Sequence, residues 1–121
     1  MKNAKKILVV DDERGLRLLL SEVLMSQGFE VRSAKDGQES LEVLQEEHFD
    51  LVVTDINMPR LDGMGMLERM QKGGRTEKVI IMTGNPSASS LLNDEIPNVV
   101  MSIVKPFGME HFVNLVTEAT A

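Results

Sequence analysis

Five short apolar runs recur along this chain and constrain its fold more than any other feature. They lie at residues 7–10, 29–34, 51–54, 79–83 and 99–104. A stretch with apolar residues at helical spacing follows each of them, the fourth such stretch being the weakest. Because strand–helix–strand crossovers are right-handed, this alternation predicts an α/β fold, a doubly wound parallel sheet with helices on both faces.

The composition of the runs predicts the order of the strands. Four runs are nearly continuous Val, Ile, Leu and Met, which is typical of strands covered on both faces. The second run includes Glu30 and Arg32, and the fifth includes Ser102, so these two fit the sheet edges. The prediction is a flavodoxin-like, five-stranded sheet of order 2-1-3-4-5 with five helices. The fourth helix, at residues 87–97, is rich in Ser and Asn and is expected to be short or mobile.

Length, charge and cysteine content exclude several classes of protein. A chain of 121 residues fits a single domain over residues 1–121. The net charge of −6 and the lack of a basic patch argue against direct nucleic-acid binding. The run at residues 7–10 is too short for a signal peptide or a membrane span, so we expect a cytoplasmic protein without a membrane contact. The absence of cysteine excludes disulfides and thiolate metal sites.

Acidic residues follow two of the buried runs directly. Asp11 and Asp12 come after the first run, and Asp55 comes after the third. A single aspartate here would be an ordinary helix cap or turn former. Parallel strands end at one edge of the sheet, however, so these carboxylates are expected to lie close together. Two carboxylates about 4 Å apart repel by roughly 1 kcal/mol in water and roughly 4 kcal/mol at an effective dielectric of 20. The cluster therefore predicts a hard divalent cation, Mg²⁺ or Mn²⁺.

Two further strand ends carry groups that suit a phosphoryl oxygen. Thr83 ends the fourth run and Lys105 follows the fifth. Taken alone, Thr83 would be an ordinary strand residue and Lys105 an ordinary solvated charge. Opposite the acids, the Lys105 ammonium and the Thr83 hydroxyl are suited to bind phosphoryl oxygens. A carboxylate can attack phosphorus to form an acyl phosphate, so the pattern predicts phosphoryl uptake by Asp55.

Four segments resemble the receiver domain of two-component response regulators, the chemotaxis regulators among them. They are ILVVDDE at residues 7–13, VVTDINMP at 52–59, MTG at 82–84 and VKPF at 104–107. Each segment alone is modest, but their order and spacing together are highly specific. The resemblance extends over essentially the full length of the chain.

The resemblance implies a function for the acidic cluster. Asp55 would accept a phosphoryl group from the phosphohistidine of a sensor histidine kinase or a histidine phosphotransfer protein. Asp12 would bind Mg²⁺ directly, Asp11 often through water, and the backbone carbonyl of Asn57 would be a further ligand. Such a domain catalyses its own phosphorylation and dephosphorylation, and it is a signalling phosphoacceptor, not a metabolic enzyme.

The resemblance also implies a conformational switch that controls a downstream effector protein or a fused output domain. Thr83 and Lys105 would hold the phosphoryl oxygens and move when the group arrives. The family usually has an aromatic residue three positions before the lysine, whereas this chain has Ser102 and contains no tyrosine. We expect the phosphorylation chemistry to be unaffected and the signal to pass through ordering of the fourth helix.

Three other classes of protein share features of this sequence. A flavin-binding flavodoxin needs a phosphate cradle after the first strand, where Asp-Asp-Glu would repel the phosphate. A haloacid-dehalogenase-type phosphatase typically has a second acid where this chain has Asn57. A receiver fold that serves only as a docking module for other proteins, without phosphorylation, is the alternative that stays open.

Overall fold

The computed structural model describes residues 4–56, 63–84 and 98–121. These residues form five strands: β1 (Lys6–Val10), β2 (Glu30–Ala34), β3 (Leu51–Asp55), β4 (Lys78–Thr83) and β5 (Val99–Val104). They also form four helices: α1 (Arg14–Ser26), α2 (Gly37–Glu46), α3 (Gly63–Lys72) and α4 (Met109–Thr120). Every predicted strand is present, and its bounds agree with the apolar run to within one residue.

The strands form one parallel sheet of order β2-β1-β3-β4-β5, which confirms the predicted order. β1 lies between β2 and β3, so the chain reverses its direction of winding there. Val10 at the end of β1 pairs with Thr54, and Asp55 at the end of β3 pairs with Met82. The residues that close β1, β3 and β4 are therefore neighbours along one edge.

The sheet separates two apolar layers. On one face, α2 and α3 contribute Val43, Leu44, Met66, Leu67 and Met70 to a buried cluster with the sheet. On the other face, α1 and α4 contribute the buried residues Leu20, Leu24, Phe112, Val116 and Ala119. Burial on both faces explains the nearly continuous apolar sequences of β1, β3 and β4.

The described ranges contain four helices, where the sequence predicted five. The predicted fourth helix falls in residues 85–97, which lie outside the described residues. The poor helix formers at those positions predict a weak helix. None of the helices in the described ranges is both long and apolar enough to cross a bilayer.

Local interactions fix the start of one helix and the end of another. The carboxylate of Asp36 accepts a hydrogen bond from the Glu39 backbone N–H at 2.8 Å, and so caps the start of α2. Gly28 has a φ of 92° just after α1, a backbone conformation that residues with a Cβ atom rarely adopt. The chain can therefore turn sharply from α1 into β2.

Candidate functional site

Three aspartates converge at the carboxyl edge of the sheet. Asp11, Asp12 and Asp55 each offer a carboxylate oxygen, and these oxygens lie within 4.8 Å of one another. Asp11 is 0% exposed and Asp55 is 8% exposed, whereas Asp12 is open to solvent. The sequence predicted that these three residues would meet, and the structure brings them together.

Backbone hydrogen bonds fix the position of Asp11. Its N–H donates to the carbonyl of Ala34 at 3.1 Å, which continues the β1–β2 pairing beyond the strand. Its Oδ1 accepts from the Glu13 N–H at 2.8 Å and closes the turn into α1. Helix α1 begins with Glu13 at its cap position and has no side-chain cap. Asp11 thus shapes the loop before the helix and does not serve as the helix cap.

Lys105 connects two of the three acids. Its Nζ lies 2.8 Å from Asp11 Oδ2 and 3.3 Å from Asp55 Oδ2. Its backbone N–H donates to the Thr83 carbonyl at 2.7 Å, which holds the chain after β5 against the end of β4. Burial opposes the charged form of Lys105, but the hydrogen bond and charge of Asp11, with the charge of Asp55, outweigh it. The pKa of Lys105 is therefore raised above its ordinary value, so the lysine is charged at neutral pH.

The remaining predicted residues lie in different places. Thr83 is 1% exposed at the end of β4, one position beyond the Met82 that pairs with Asp55, so it lies at the same edge. Ser102 is half-buried on β5 and pairs with Ile81, two positions back from the edge. Asn57 lies outside the described residues.

Two residues support the site without having been singled out from the sequence. Arg17 on α1 donates from Nη1 to the Asp11 carbonyl at 2.8 Å. Gly63 begins α3 and donates its N–H to the carbonyl of Ile56, the residue after Asp55, at 2.8 Å. In the sequence, Arg17 is indistinguishable from a solvated helix charge. Gly63 follows Asp62, and this pair is typical of an ordinary turn.

The donor set suits a hard divalent cation. Three carboxylates face one ammonium, so the formal charge of the cluster is negative, and two of the acids are buried. Oxygen ligands on one exposed and two buried carboxylates match the preference of Mg²⁺ for a few carboxylates together with water and phosphate oxygens. The arrangement can therefore hold a cation and an anionic phosphoryl group side by side.

Comparison with known sequences gives a consistent result. The response regulator receiver domain family matches residues 7–117. The chain is 33% identical over 106 residues to sporulation initiation phosphotransferase F of Bacillus subtilis, covering 88% of this chain and 86% of that protein. It is also 43% identical over 82 residues to the sensor histidine kinase RcsC of Escherichia coli. That alignment covers 68% of this chain and 9% of RcsC, so the likeness concerns one part of a much longer protein.

Solved structures agree with the sequence comparison. The response regulator TrrA of Thermotoga maritima, solved in complex with Mg²⁺-BeF, superposes with a TM-score of 0.82 at 32% identity. The comparison covers 95% of this chain and 98% of TrrA. The match to the family extends from the first strand into the last helix, and it includes the acidic cluster and Lys105. The chain belongs to the family of response regulator receiver domains.

Proposed function

We propose that this chain takes up a phosphoryl group on Asp55 and changes conformation to signal its arrival. One observation carries the proposal: three carboxylates lie within 4.8 Å of one another, and the Lys105 ammonium contacts two of them. A cation-binding acidic cluster beside a fixed positive charge is the arrangement that phosphoryl transfer requires. A metabolic role has no comparable support in the described residues.

Burial and the two contacts of Lys105 favour Asp55 as the acceptor over its neighbours. Asp11 is held by the Glu13 N–H and by Lys105, each at 2.8 Å. Asp12 is exposed, where water competes with a reaction partner. Asp55 is buried at the end of β3, and its 3.3 Å contact with Lys105 is longer than that of Asp11. The longer contact is the easier one for a phosphoryl oxygen to replace.

The transfer itself is a displacement at phosphorus. A carboxylate oxygen of Asp55 attacks the phosphorus of a phosphohistidine, forming an O–P bond as the P–N bond breaks. The electron pair of the P–N bond stays with the imidazole, which leaves and takes up a proton. Lys105 moves its Nζ contact from Asp55 to a phosphoryl oxygen, and the Thr83 hydroxyl donates to a second one. Later attack by water regenerates Asp55 and releases phosphate.

Asp11, Asp12 and Asp55 are the residues that would hold Mg²⁺ or Mn²⁺, with the backbone carbonyl of Asn57 as a further ligand. When bound, the cation supplies positive charge that offsets the negative charge of the carboxylates and the phosphoryl oxygens. TrrA, a response regulator with the same fold, was solved in complex with Mg²⁺-BeF, and this supports a divalent cation as a ligand of the present chain.

We further propose the partners and the setting of the reaction. The donor would be a sensor histidine kinase or a histidine phosphotransfer protein, as the likeness to part of RcsC suggests. The receiver of the signal would be an effector protein or a fused output domain, reached through Thr83 and the region around Ser102. Residues 1–121 would act as one cytoplasmic domain, without contacts to nucleic acid or membrane.

Intact-protein mass spectrometry tests the proposal. The chain is incubated with acetyl phosphate, with and without Mg²⁺, alongside Asp55→Ala and the exposed control Asp50→Asn. We expect the wild type and the control to gain the mass of one phosphoryl group only with Mg²⁺, and Asp55→Ala to gain none. A wild type that gains no mass under any condition would overturn the proposal and favour a docking module.

A further inference from the structure

We infer that Gly63 is a positioning residue for Asp55, and that the lack of a side chain at residue 63 sets the place of the acceptor carboxylate. This inference rests on the proposed function of Asp55. The Gly63 N–H donates to the backbone carbonyl of Ile56. The influence of Gly63 comes from the close approach of the start of α3 to the end of β3.

The space at Gly63 admits no side chain. A Cβ atom there would lie 2.8 Å from the Ile56 Cα and nearer still to the Asp55 carbonyl oxygen. A Cβ atom essentially never lies within 3.0 Å of a non-bonded heavy atom. The Gly63 N–H also donates to the Ile56 carbonyl at 2.8 Å, so the two segments are held together as well as packed together.

The obstructing atoms belong to the backbone of the acceptor strand. The end of a flexible side chain could rotate away from a new Cβ atom, but these are backbone atoms. Asp55 and Ile56 are also buried, at 8% and 7% exposed. Helix α3 is anchored in the core through Met66 and Met70, which are 0% and 2% exposed. Relief of the clash therefore requires a backbone shift at the junction of β3 and α3, and any shift at the end of β3 carries the Asp55 carboxylate with it.

This close approach is a local feature. A Cβ atom at Gly15, at Gly84 or at Gly108 would meet nothing within 4 Å. Gly15 lies in the first turn of α1, close in sequence to the Asp11–Asp12 pair, and provides a matched control. An alanine at residue 15 enters open space, whereas an alanine at residue 63 enters the backbone beside the acceptor.

A small shift of Asp55 is costly because the site depends on short distances. Asp55 Oδ2 lies 3.3 Å from Lys105 Nζ, and the three acids share a space only 4.8 Å across. Reacting groups work within about 0.5 Å of their productive positions, and a misplacement of 1 Å costs about 100-fold in rate. A displacement of several tenths of an ångström predicts a loss of about tenfold in the rate of phosphoryl uptake.

The test compares wild type, Gly63→Ala and Gly15→Ala at 25 °C with acetyl phosphate and saturating Mg²⁺. The rate of phosphoryl uptake is measured from the intact mass over time. A cooperative urea unfolding transition, followed by circular dichroism, shows that each variant is folded. We expect Gly63→Ala to be about tenfold slower and Gly15→Ala to match the wild type. A folded Gly63→Ala with the wild-type rate would overturn the inference. A wild type that takes up no phosphoryl group would instead contradict the proposed function of Asp55.

Two further measurements separate positioning from a purely structural effect. The chain has no Trp or Tyr, so Mg²⁺ affinity is measured by NMR shifts of the backbone amides near Asp11 and Asp12. If Gly63 positions Asp55, the folded Gly63→Ala protein should bind Mg²⁺ more weakly than the wild type. If Gly63 affects only the stability of the fold, the affinity for Mg²⁺ should be unchanged. Should that variant fail to fold, hydrogen exchange in the wild type decides. An amide at Gly63 that exchanges as slowly as those of β3 supports the inference, and fast exchange contradicts it.

Discussion

Lys105 is the residue whose surroundings explain most about the site. Its ammonium is the positive charge that the structure places among three carboxylates, and it contacts both buried ones. Without that charge, the acids would repel one another across less than 5 Å. The lysine therefore stabilises the resting fold in addition to its proposed contact with the phosphoryl group.

Replacing this lysine should change stability in a way that depends on divalent cation. We expect Lys105→Met to lower the free energy of unfolding by about 1–3 kcal/mol without Mg²⁺, because the buried carboxylate of Asp11 loses its charged partner. Saturating Mg²⁺ should recover most of that loss, since the cation neutralises the same carboxylates. Urea unfolding followed by circular dichroism measures both values. The exposed control Lys35→Met should show neither effect, and an equal loss with and without Mg²⁺ would contradict this explanation.

Sequence patterns predicted the acidic residues and the lysine because each follows a buried strand directly. Strand ends are fixed by hydrophobic pattern, and parallel topology then brings Asp11, Asp55 and Lys105 to one edge. The roles of Arg17 and Gly63 were not predicted, because they depend on contacts with atoms that are distant in sequence. A hydrogen bond to a carbonyl, or the lack of space for a methyl group, has no signature in the residue order.

At the scale of elements, the turn from α1 into β2 depends on one backbone conformation. Gly28 has a φ of 92°, and the Phe29 N–H donates to the Leu24 carbonyl across the turn. Because β2 carries the Ala34 carbonyl that receives the Asp11 N–H, this turn also supports the β1–α1 loop. The end of a helix on one side of the sheet thus contributes to the geometry of the site.

A side chain at this turn should cost stability. We expect Gly28→Ala to lower the free energy of unfolding by about 1–2 kcal/mol, because positive φ is unfavourable for residues with a Cβ atom. Gly15→Ala, within α1 and with open space around it, should instead raise it by about 0.5–1 kcal/mol. Parallel urea titrations of the two variants measure the difference. A Gly28→Ala protein as stable as the wild type would show that the turn tolerates another conformation.

The strands were predicted more completely than the helices. Apolar runs of four to six residues are short for a helix and typical of a strand, and all five form strands in the predicted order. The predicted fourth helix is rich in Ser and Asn, which are poor helix formers, and it falls outside the described residues. The relation between Ser102 and the switch depends on that same region, so it stays a prediction.

On the scale of the whole molecule, a second charged cluster lies at the opposite end of the sheet. Glu77 precedes β4, and only 3% of its side chain is exposed. Its carboxylate pairs with Arg75 and accepts the Phe49 N–H at 3.3 Å. Burial raises the pKa of Glu77, but the hydrogen bonds from Arg75 and from backbone N–H groups outweigh it. The pKa is therefore lowered from the ordinary value of 4.5.

This cluster gives the fold a defined response to acid. A carboxylate with a lowered pKa in the folded state stabilises the protein above pH 4.5, and that contribution is lost as the pH falls through the folded-state pKa. We expect Glu77→Gln to be less stable than the wild type by about 1–3 kcal/mol at pH 7 and the gap to narrow below pH 4.5. Urea unfolding across this range measures the gap, with Glu118→Gln as an exposed control. A gap that is constant with pH would contradict the assignment.

Asp55, at the carboxyl edge of the sheet, is the proposed site of phosphoryl uptake. Localising the phosphoryl group tests this proposal most directly. Borohydride reduces an aspartyl phosphate to homoserine with release of phosphate, so the modified residue can be identified by tandem mass spectrometry. After incubation with acetyl phosphate and Mg²⁺, we predict homoserine at residue 55 and its absence when Mg²⁺ is omitted. Homoserine at another aspartate, or at none, would contradict the account.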